Sequence, residues 1–553
     1  MKQNTFIILL CFAILSCNAQ KNFSSTNNQT RLTQSNSPKL VVGIVVDQMR
    51  YDYLTRFDSK FGEGGFKRMM REGFNCKNNH FNYVPTYTGP GHASVFTGTT
   101  PKYHGVISNN WYSKTEKKVV YCAGDENVKS IGTESDAGKM SPHRMLTTSF
   151  ADENKLFTQM RGKTIGIAIK DRGAILPAGH TADAAYWFYG KDEGHFITSS
   201  FYRNDLPKWV NQFNDSDTAE SYFKVWDTHY DIKSYTESGS DDNNFEGGFK
   251  GKEKATFPYD LAKLKDKNGG FDILKATAYG NSLTTEFAIA SVKGEALGKD
   301  STTDILTLSY SSTDYVGHNF GVNSKEVEDT YVRLDKDLER FFEFLDTEVG
   351  VGEYTVFLTA DHGATDVPGF LKEKKIPINY FNSKKFNYHI EKSLIKLFGN
   401  KYLISSNSNQ QIFLNHELIK KLNISPKVVK QSIIDVIQSF PGIDNVYSSE
   451  QIFSEIDDHF IKLIRNGFNK NLSGDIVYTM MPNWVYYRKG STHGRRFNQH
   501  THVPLILFGD GIKRGSISRE TDVIDIAPTI ASVLGISSPN ATTGKVIFEA
   551  IDD

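Results

Sequence analysis

The stretch VPTYTGPGHASVFTG, residues 84–98, crowds glycine and proline ahead of an apolar, helix-forming run. Pro90 suits a first helical position, where a missing N–H costs nothing. Thr88 then stands at the mouth of a helix N-terminus, where free backbone N–H groups and the positive end of the helix dipole attract anions. A hydroxyl at such a place serves either as a helix cap or as a nucleophile. Other chemically able residues recur along the chain: Asp47 after VVGIVV, Lys170 and Arg172 in KDR, Asp314 and His318 in STDYVGH, Asp361 and His362 in TADHG, and His493 in THG. Singly, an Asp after a strand reads as a turn residue or cap. Together these residues form a set of mixed Asp and His donors, which suits zinc better than the all-oxygen shells of calcium or magnesium. Three carboxylates and three imidazoles supply two zinc sites of three protein ligands each, with open positions for chemistry. Two close metals can clamp the attacking and leaving oxygens of an in-line phosphoryl displacement.

The elements that must position these residues are legible as buried strands. PKLVVGIVVDQM, KTIGIAI, TDILTLSY, EYTVFLTA and HVPLILFG are short continuous apolar runs of the kind buried on both faces of a parallel sheet. The first four lead to Asp47, Lys170, Asp314 and Asp361, and the last follows His493. Helical patterns at 282–297 and 324–348 alternate with them, so the expected fold is α/β, with a mainly parallel central sheet flanked by helices. In open sheets of this kind ligands bind beyond the carboxyl ends of the strands. Two regions break the rhythm, about 190–280 and about 370–490, and are expected to be inserted cap subdomains.

The 553-residue chain carries 64 Lys and Arg against 64 Asp and Glu, so no overall field recruits nucleic acid or an anionic membrane. The first twenty residues, MKQNTFIILLCFAILSCNAQ, read as an export signal with an apolar run too short to span a bilayer comfortably. Cleavage after Ala19 or Gln20 fits; Ile14-Leu15-Ser16-Cys17 also resembles a bacterial lipobox, which puts lipid on Cys17. Residues 21–38 read as a polar tether and 39–553 as the catalytic part. No later run reads as a membrane helix, so the mature chain is expected in the periplasm, lipid-anchored or secreted. Cys76 and Cys122 are an even pair that forms a disulfide in an oxidising compartment or stays as two buried thiols.

The ordered set Asp47, TYTGPGH with Thr88, STDYVGH, TADHG and THG, with the closing ETDVIDIAPTIASVLGI, resembles the alkaline phosphatase superfamily from about residue 39 onward. Within it the chain is most similar to the PafA-type bacterial alkaline phosphatases, monomeric phosphomonoesterases with a threonine nucleophile. The resemblance implies an alkaline-phosphatase-like sandwich that turns phosphate monoesters into alcohol and inorganic phosphate. It implies one zinc held by Asp314, His318 and His493. A second would be held by Asp47, Asp361 and His362, with the Thr88 oxygen as a further ligand. Thr88 would become phosphothreonine, later hydrolysed by water, and the glycines would let backbone approach the phosphate.

The same superfamily holds sulfatases, diesterases and nucleotide pyrophosphatases. Thr88-Gly89-Pro90-Gly91-His92 offers neither the Cys or Ser that sulfatases convert to an aldehyde nor their arginine. Charge separates the other branches. Two zinc ions against three Asp and a Thr88 alkoxide leave a nearly neutral site, so a monoester dianion needs further cations. Lys170 and Arg172 supply them, and at a strand end residues two apart point to one side while Asp171 points away. The resemblance assigns this pair to the nonbridging oxygens, with a further hydrogen bond from Asn109. The alternatives are a type I phosphodiesterase or nucleotide pyrophosphatase with the same metals, and a non-catalytic zinc-binding surface protein. His500 and His502 compete with His493 as ligands, but THG matches the family motif; His80, His92, His104 and His180 are given structural or surface roles.

Overall fold

The structure, a computed structural model, describes residues 37–454 and 458–552. The export signal, Cys17 and the tether up to residue 36 lie outside the described residues. Ten strands form the main sheet. In chain order they are β1 (Leu40–Val46), β2 (Phe74–Cys76), β3 (Ser130–Ile131), β4 (Thr164–Ala168), β5 (Ala184–Tyr189), β6 (His195–Ser199), β7 (Asp304–Tyr310), β8 (Tyr354–Thr359), β9 (Leu505–Gly509) and β10 (Gly515–Ile517). Their spatial order is β10-β2-β9-β8-β1-β7-β4-β5-β6-β3. The five neighbours β8-β1-β7-β4-β5 are parallel, which is why their sequences are apolar on both faces and every residue of β1, β4, β7 and β8 is buried. The run HVPLILFG, expected to extend this sheet, does so as β9, antiparallel to β8; β6 is likewise antiparallel to β5.

Register brings the chemistry to one edge. Val46 lies opposite Tyr310, and Val45 opposite Thr359, so β1, β7 and β8 end together. Asp47, Asp361 and the turn into Asp314 therefore emerge side by side, with Lys170 beyond the adjacent β4. Helices α1 (Thr88–Thr97), α2 (Asp171–Ala178), α3 (Ala278–Gly294), α4 (Ser312–Phe320) and α5 (Lys325–Leu345) pack around the sheet. Helix α5 starts where Ser324 accepts a hydrogen bond from the Val327 N–H at 3.1 Å. Its Tyr331, Leu334, Leu338, Phe341 and Leu345 join the main core. Among the described residues, no helix is long and apolar enough to cross a membrane.

The two irregular regions differ in kind. The segment 190–280 is not a detached cap. Its β6 completes the main sheet, and Trp226, Tyr259, Leu261 and Leu274 enter the same core as α3 and α5. Its aromatic composition already carried that burial, since large rings in a loop-like sequence need an apolar partner. The segment 370–490, in contrast, builds its own antiparallel sheet, ordered Ile404–Ser408, Gln411–Leu414, Ile476–Met480, Ile443–Ser448. Helices Ser383–Phe398 and Pro426–Gln438 cover it around a separate core of Phe386, Ile390, Ile412, Ile433 and Ile476. Cys76 and Cys122 are both buried and free, in different apolar clusters, so the disulfide is not formed.

Helix α1 reaches the sheet edge because Gly91 has no side chain. A Cβ there would fall 2.2 Å from the Asp361 carbonyl oxygen and 2.8 Å from its Cβ. Gly91→Ala should therefore lower stability by about 1–3 kcal/mol through overpacking. Chemical denaturation checks this; an unchanged midpoint would show that helix and strand can separate freely.

Candidate active site

Each candidate side chain is placed at or near the end of an element. Asp47 follows β1, Asp361 follows β8, and Asp314 sits in the first turn of α4 with His318 one turn later on the same face. His493 comes from the chain between the 370–490 subdomain and β9. Asp47, Asp361 and His362 are wholly buried, and Asp314 is nearly so. The six residues form two triads, Asp314 with His318 and His493, and Asp47 with Asp361 and His362, whose donor atoms lie within 4.8 Å of one another.

The imidazoles are held in the form that suits metal binding. His318 Nδ1 donates to the Ser491 carbonyl at 2.8 Å, His362 Nδ1 to the Gly363 carbonyl at 3.0 Å, and His493 Nδ1 to the Thr86 carbonyl at 2.9 Å. Each hydrogen bond leaves the Nε2 lone pair facing the carboxylates. Burial first, and neighbouring cations next, hold His362 well below its ordinary pKa; burial also depresses His493, so both rings are neutral. His362 Nε2 lies 3.5 Å from Asp47 Oδ1 and 3.4 Å from Asp361 Oδ2. Both carboxylate atoms are buried and lack a hydrogen-bond partner. Three donor atoms thus converge, two of them buried oxygens without a hydrogen-bond partner, an arrangement that fits a cation. Burial, followed by the charge of Asp314, raises Asp47; burial, followed by the charge of Asp47, raises Asp361 well above the carboxylate range. For Asp314 burial is outweighed by His318, Lys170 and His493, which hold it well below that range.

Lys170 is drawn into this cluster. Its Nζ donates to Asp47 Oδ2 at 2.6 Å and to Asp314 Oδ2 at 2.5 Å. The expected strand alternation of Lys170 and Arg172 is not what brings them together. β4 ends at Ala168, Lys170 caps α2, and Arg172 lies in its first turn. The Arg172 guanidinium instead approaches Thr88, with one nitrogen 3.4 Å from Thr88 Oγ1 and another 3.2 Å from the Tyr121 hydroxyl.

Thr88 itself is the first residue of α1, with Tyr87 as the extended cap, so Pro90 is the third helical residue rather than the first. The Thr88 side chain caps nothing. Its hydroxyl is buried, 3.5 Å from His362 Nε2. The glycines make specific contacts of their own. The Gly89 N–H is taken by Asn109 Oδ1 at 2.7 Å, which leaves the Asn109 amide nitrogen as its donor end. Gly91 serves the contact between α1 and Asp361.

His500 stays outside both triads, buried with neither ring nitrogen hydrogen-bonded, and His502 stacks on Tyr51 and His80. His92 is structural but close: it bridges the Thr88 carbonyl and Ser309 Oγ, both at 2.9 Å. His104 is buried against Ser94 Oγ at 2.9 Å, and His180 contacts the Met145 carbonyl at 3.0 Å. The sequence reading missed Gln48. Its backbone N–H donates to Asp361 Oδ1 at 3.1 Å and its side chain to Asp314 Oδ1, tying one triad to the other. It does so from a left-handed φ of +65°, which a glutamine does not announce in sequence.

The chain matches the family described as type I phosphodiesterase / nucleotide pyrophosphatase over residues 41–503. Alkaline phosphatase PafA of Elizabethkingia meningoseptica is 42% identical, with 93% of this chain and 94% of that protein covered. Alkaline phosphatase PhoV of Synechococcus elongatus is 41% identical over 99% of this chain and 100% of its own length. A Myroides odoratus protein named calcium-transporting ATPase is 42% identical over 93% and 95%. The crystal structure of wild-type PafA superposes with a TM-score of 0.90 at 41% identity, covering 93% of this chain and 99% of that one. A PafA variant with one Thr, one Asn, one Lys and one Arg replaced has also been solved.

Gln48→Ala should leave the fold intact and weaken metal retention about 10–100-fold, as loss of a group that orients ligands does. Metal analysis after dialysis at graded chelator concentrations measures this. Retention equal to the parent protein would show that Gln48 does not hold the carboxylates in place.

Proposed function

This chain belongs to the type I phosphodiesterase / nucleotide pyrophosphatase family and, within it, to the alkaline phosphatases, and on that premise we propose that Thr88 is the nucleophile of a two-zinc phosphomonoesterase. The observation that carries the reading is the Thr88 hydroxyl, free of any capping role and set between His362 and Arg172 beside three buried carboxylates. Asp314, His318 and His493 would hold one zinc, and Asp47, Asp361, His362 and the Thr88 oxygen the other. Bound zinc lowers the pKa of a nearby hydroxyl and offsets charge on a transferring phosphoryl group.

The chain's own residues account for the remaining steps. Thr88 Oγ forms a bond to phosphorus as the bond to the ester oxygen breaks, and the alcohol leaves with a proton. Water then attacks the phosphothreonine, releasing inorganic phosphate and restoring the hydroxyl. Arg172, already 3.4 Å from Thr88 Oγ1, lies where nonbridging oxygens would arrive and offers a fork that matches them. Asn109, its amide oxygen fixed by the Gly89 N–H next to Thr88, keeps its amide N–H groups as donors for a phosphoryl oxygen. Lys170 adds positive charge between Asp47 and Asp314. The residue types changed in the PafA variant are those of Thr88, Asn109, Lys170 and Arg172, in the same chain order. The substrate class is small phosphate monoesters, and the expected setting is a monomer in the periplasm, cleaved at its signal or lipidated at Cys17.

Two sets of variants test these roles. Thr88→Ala should abolish nearly all turnover while zinc stays bound; full activity would remove Thr88 from the chemistry. Lys170→Ala and Arg172→Ala should each lower kcat/KM for an aryl phosphate monoester at least about tenfold, since charged hydrogen bonds contribute about 1.5–3 kcal/mol. The matching methyl aryl diester should lose far less. Equal losses would instead support a diesterase or nucleotide pyrophosphatase. Activity should disappear on chelation and return with zinc.

A further inference from the structure

Arg495 is a buried cation with no anion. It is 8% exposed and lies two residues beyond His493. Among the described residues it forms no ion pair, and its one hydrogen-bond-range contact is a guanidinium nitrogen 3.9 Å from Met480 Sδ. Its neighbour Arg496 is different: Asp444 Oδ2 accepts from it at 2.5 Å, and its guanidinium lies 4.2 Å over the Phe460 ring. An unpaired buried charge is costly, and proteins retain one chiefly where a counter-ion arrives.

The surroundings of Arg495 define where that counter-ion would sit. It lines a cleft between the 370–490 subdomain and the main body, together with Pro85, Gln410, Phe468, Tyr478 and Phe497. Tyr87 stands with its ring between Gly494 of the cleft wall and His493 of the candidate site. It precedes Thr88, its ring meets the His493 ring edge-on at 5.6 Å, and Gly494 closes against it, since a Cβ there would lie 2.5 Å from the ring. The walls at Pro85 and Arg495 are thus within three residues of Thr88 and two of His493. Lys170, Arg172 and Asn109 serve the transferred phosphoryl group, so Arg495 remains for another part of the substrate. The walls mix apolar and aromatic side chains with amides, Arg496 there is already paired with Asp444, and Arg495 is left without an acid, a lining that suits an organic body carrying an anion.

We propose that this cleft is a leaving-group subsite, in which Arg495 receives a carboxylate or a second phosphate borne by the alcohol portion of the phosphate monoester. The proposal rests on the phosphomonoesterase reading above.

Three substrates at fixed ionic strength test it: phenyl phosphate, 3-carboxyphenyl phosphate and 1,3-phenylene bisphosphate. For the zinc-loaded wild-type enzyme, kcat/KM should be at least about tenfold higher for the two anionic esters, the gain a charged hydrogen bond allows. A gain for only one of them identifies whether carboxylate or phosphate is received. Arg495→Met should reduce the advantage to less than about threefold, and Arg495→Lys should keep part of it. No advantage in wild type, or an advantage that survives in Arg495→Met, overturns the subsite while leaving the phosphatase reading intact. Hydrolysis of none of the three would overturn both. Should Arg495→Met fail to fold, as thermal melting would show, the wild-type ratio and the lysine variant decide.

Discussion

The rest of the site depends on the crowding of three carboxylates at the end of three adjacent parallel strands. Asp47, Asp361 and Asp314 are delivered by β1, β8 and the turn after β7, whose register makes them end at one level. Burial denies them water, and each raises the cost of ionising its neighbours. Lys170 meets two of them, but Asp361 pairs with no lysine or arginine among the described residues. The three carboxylates outnumber the one lysine that meets them, and burial keeps His362 and His493 neutral, whereas at His318 burial is outweighed by Asp314, which raises its pKa. Such a cluster favours added positive charge, which is why this sheet edge is a candidate metal centre.

Under the proposed function Lys170 would link that requirement to substrate choice. Its ammonium lies between Asp47 and Asp314, one carboxylate from each triad, so it and any metal bound there would respond to the same charge. The more completely metal neutralised those oxygens, the more of the Lys170 charge would act outward, toward a bound dianion. A diester carries one charge less and would gain correspondingly less. A preference for monoesters would then follow from a balance that both triads share and would not be carried by Arg172 alone.

How much of this the sequence disclosed depended on whether the signal was local. Apolar runs gave the central strands, because burial on both faces leaves no other composition. The ligands were legible because each follows such a run, and a family resemblance joined them in order. Distances along the chain could not show how ends meet. Nothing in the sequence marked β9 as antiparallel, or Gln48 as the hydrogen-bond tie between triads from a left-handed backbone. Thr88 seemed to precede the helix because Pro90 fits a first position; the third position also lacks an intrahelical partner for its N–H, so proline is tolerated there. The segment 190–280 looked separable because turn residues dominate it, whereas Trp226 and Tyr259 anchor it in the common core.

The arginines 495 and 496 show the same limit from another side. In sequence they are one charged dipeptide following THG, and a solvated loop is the ordinary reading of such a pair. Both line the same cleft, but only one of them is paired with an acid. Arg496 finds Asp444 in the inserted sheet, while Arg495 is turned into a cleft with aromatic walls and no acid. Both environments are built by the 370–490 subdomain, which supplies Asp444 to Arg496 and Met480 to Arg495. That insertion is therefore more than a cover for the sheet edge. By withholding an acid from Arg495 it leaves one buried positive charge two residues along the chain from His493 of the candidate metal site.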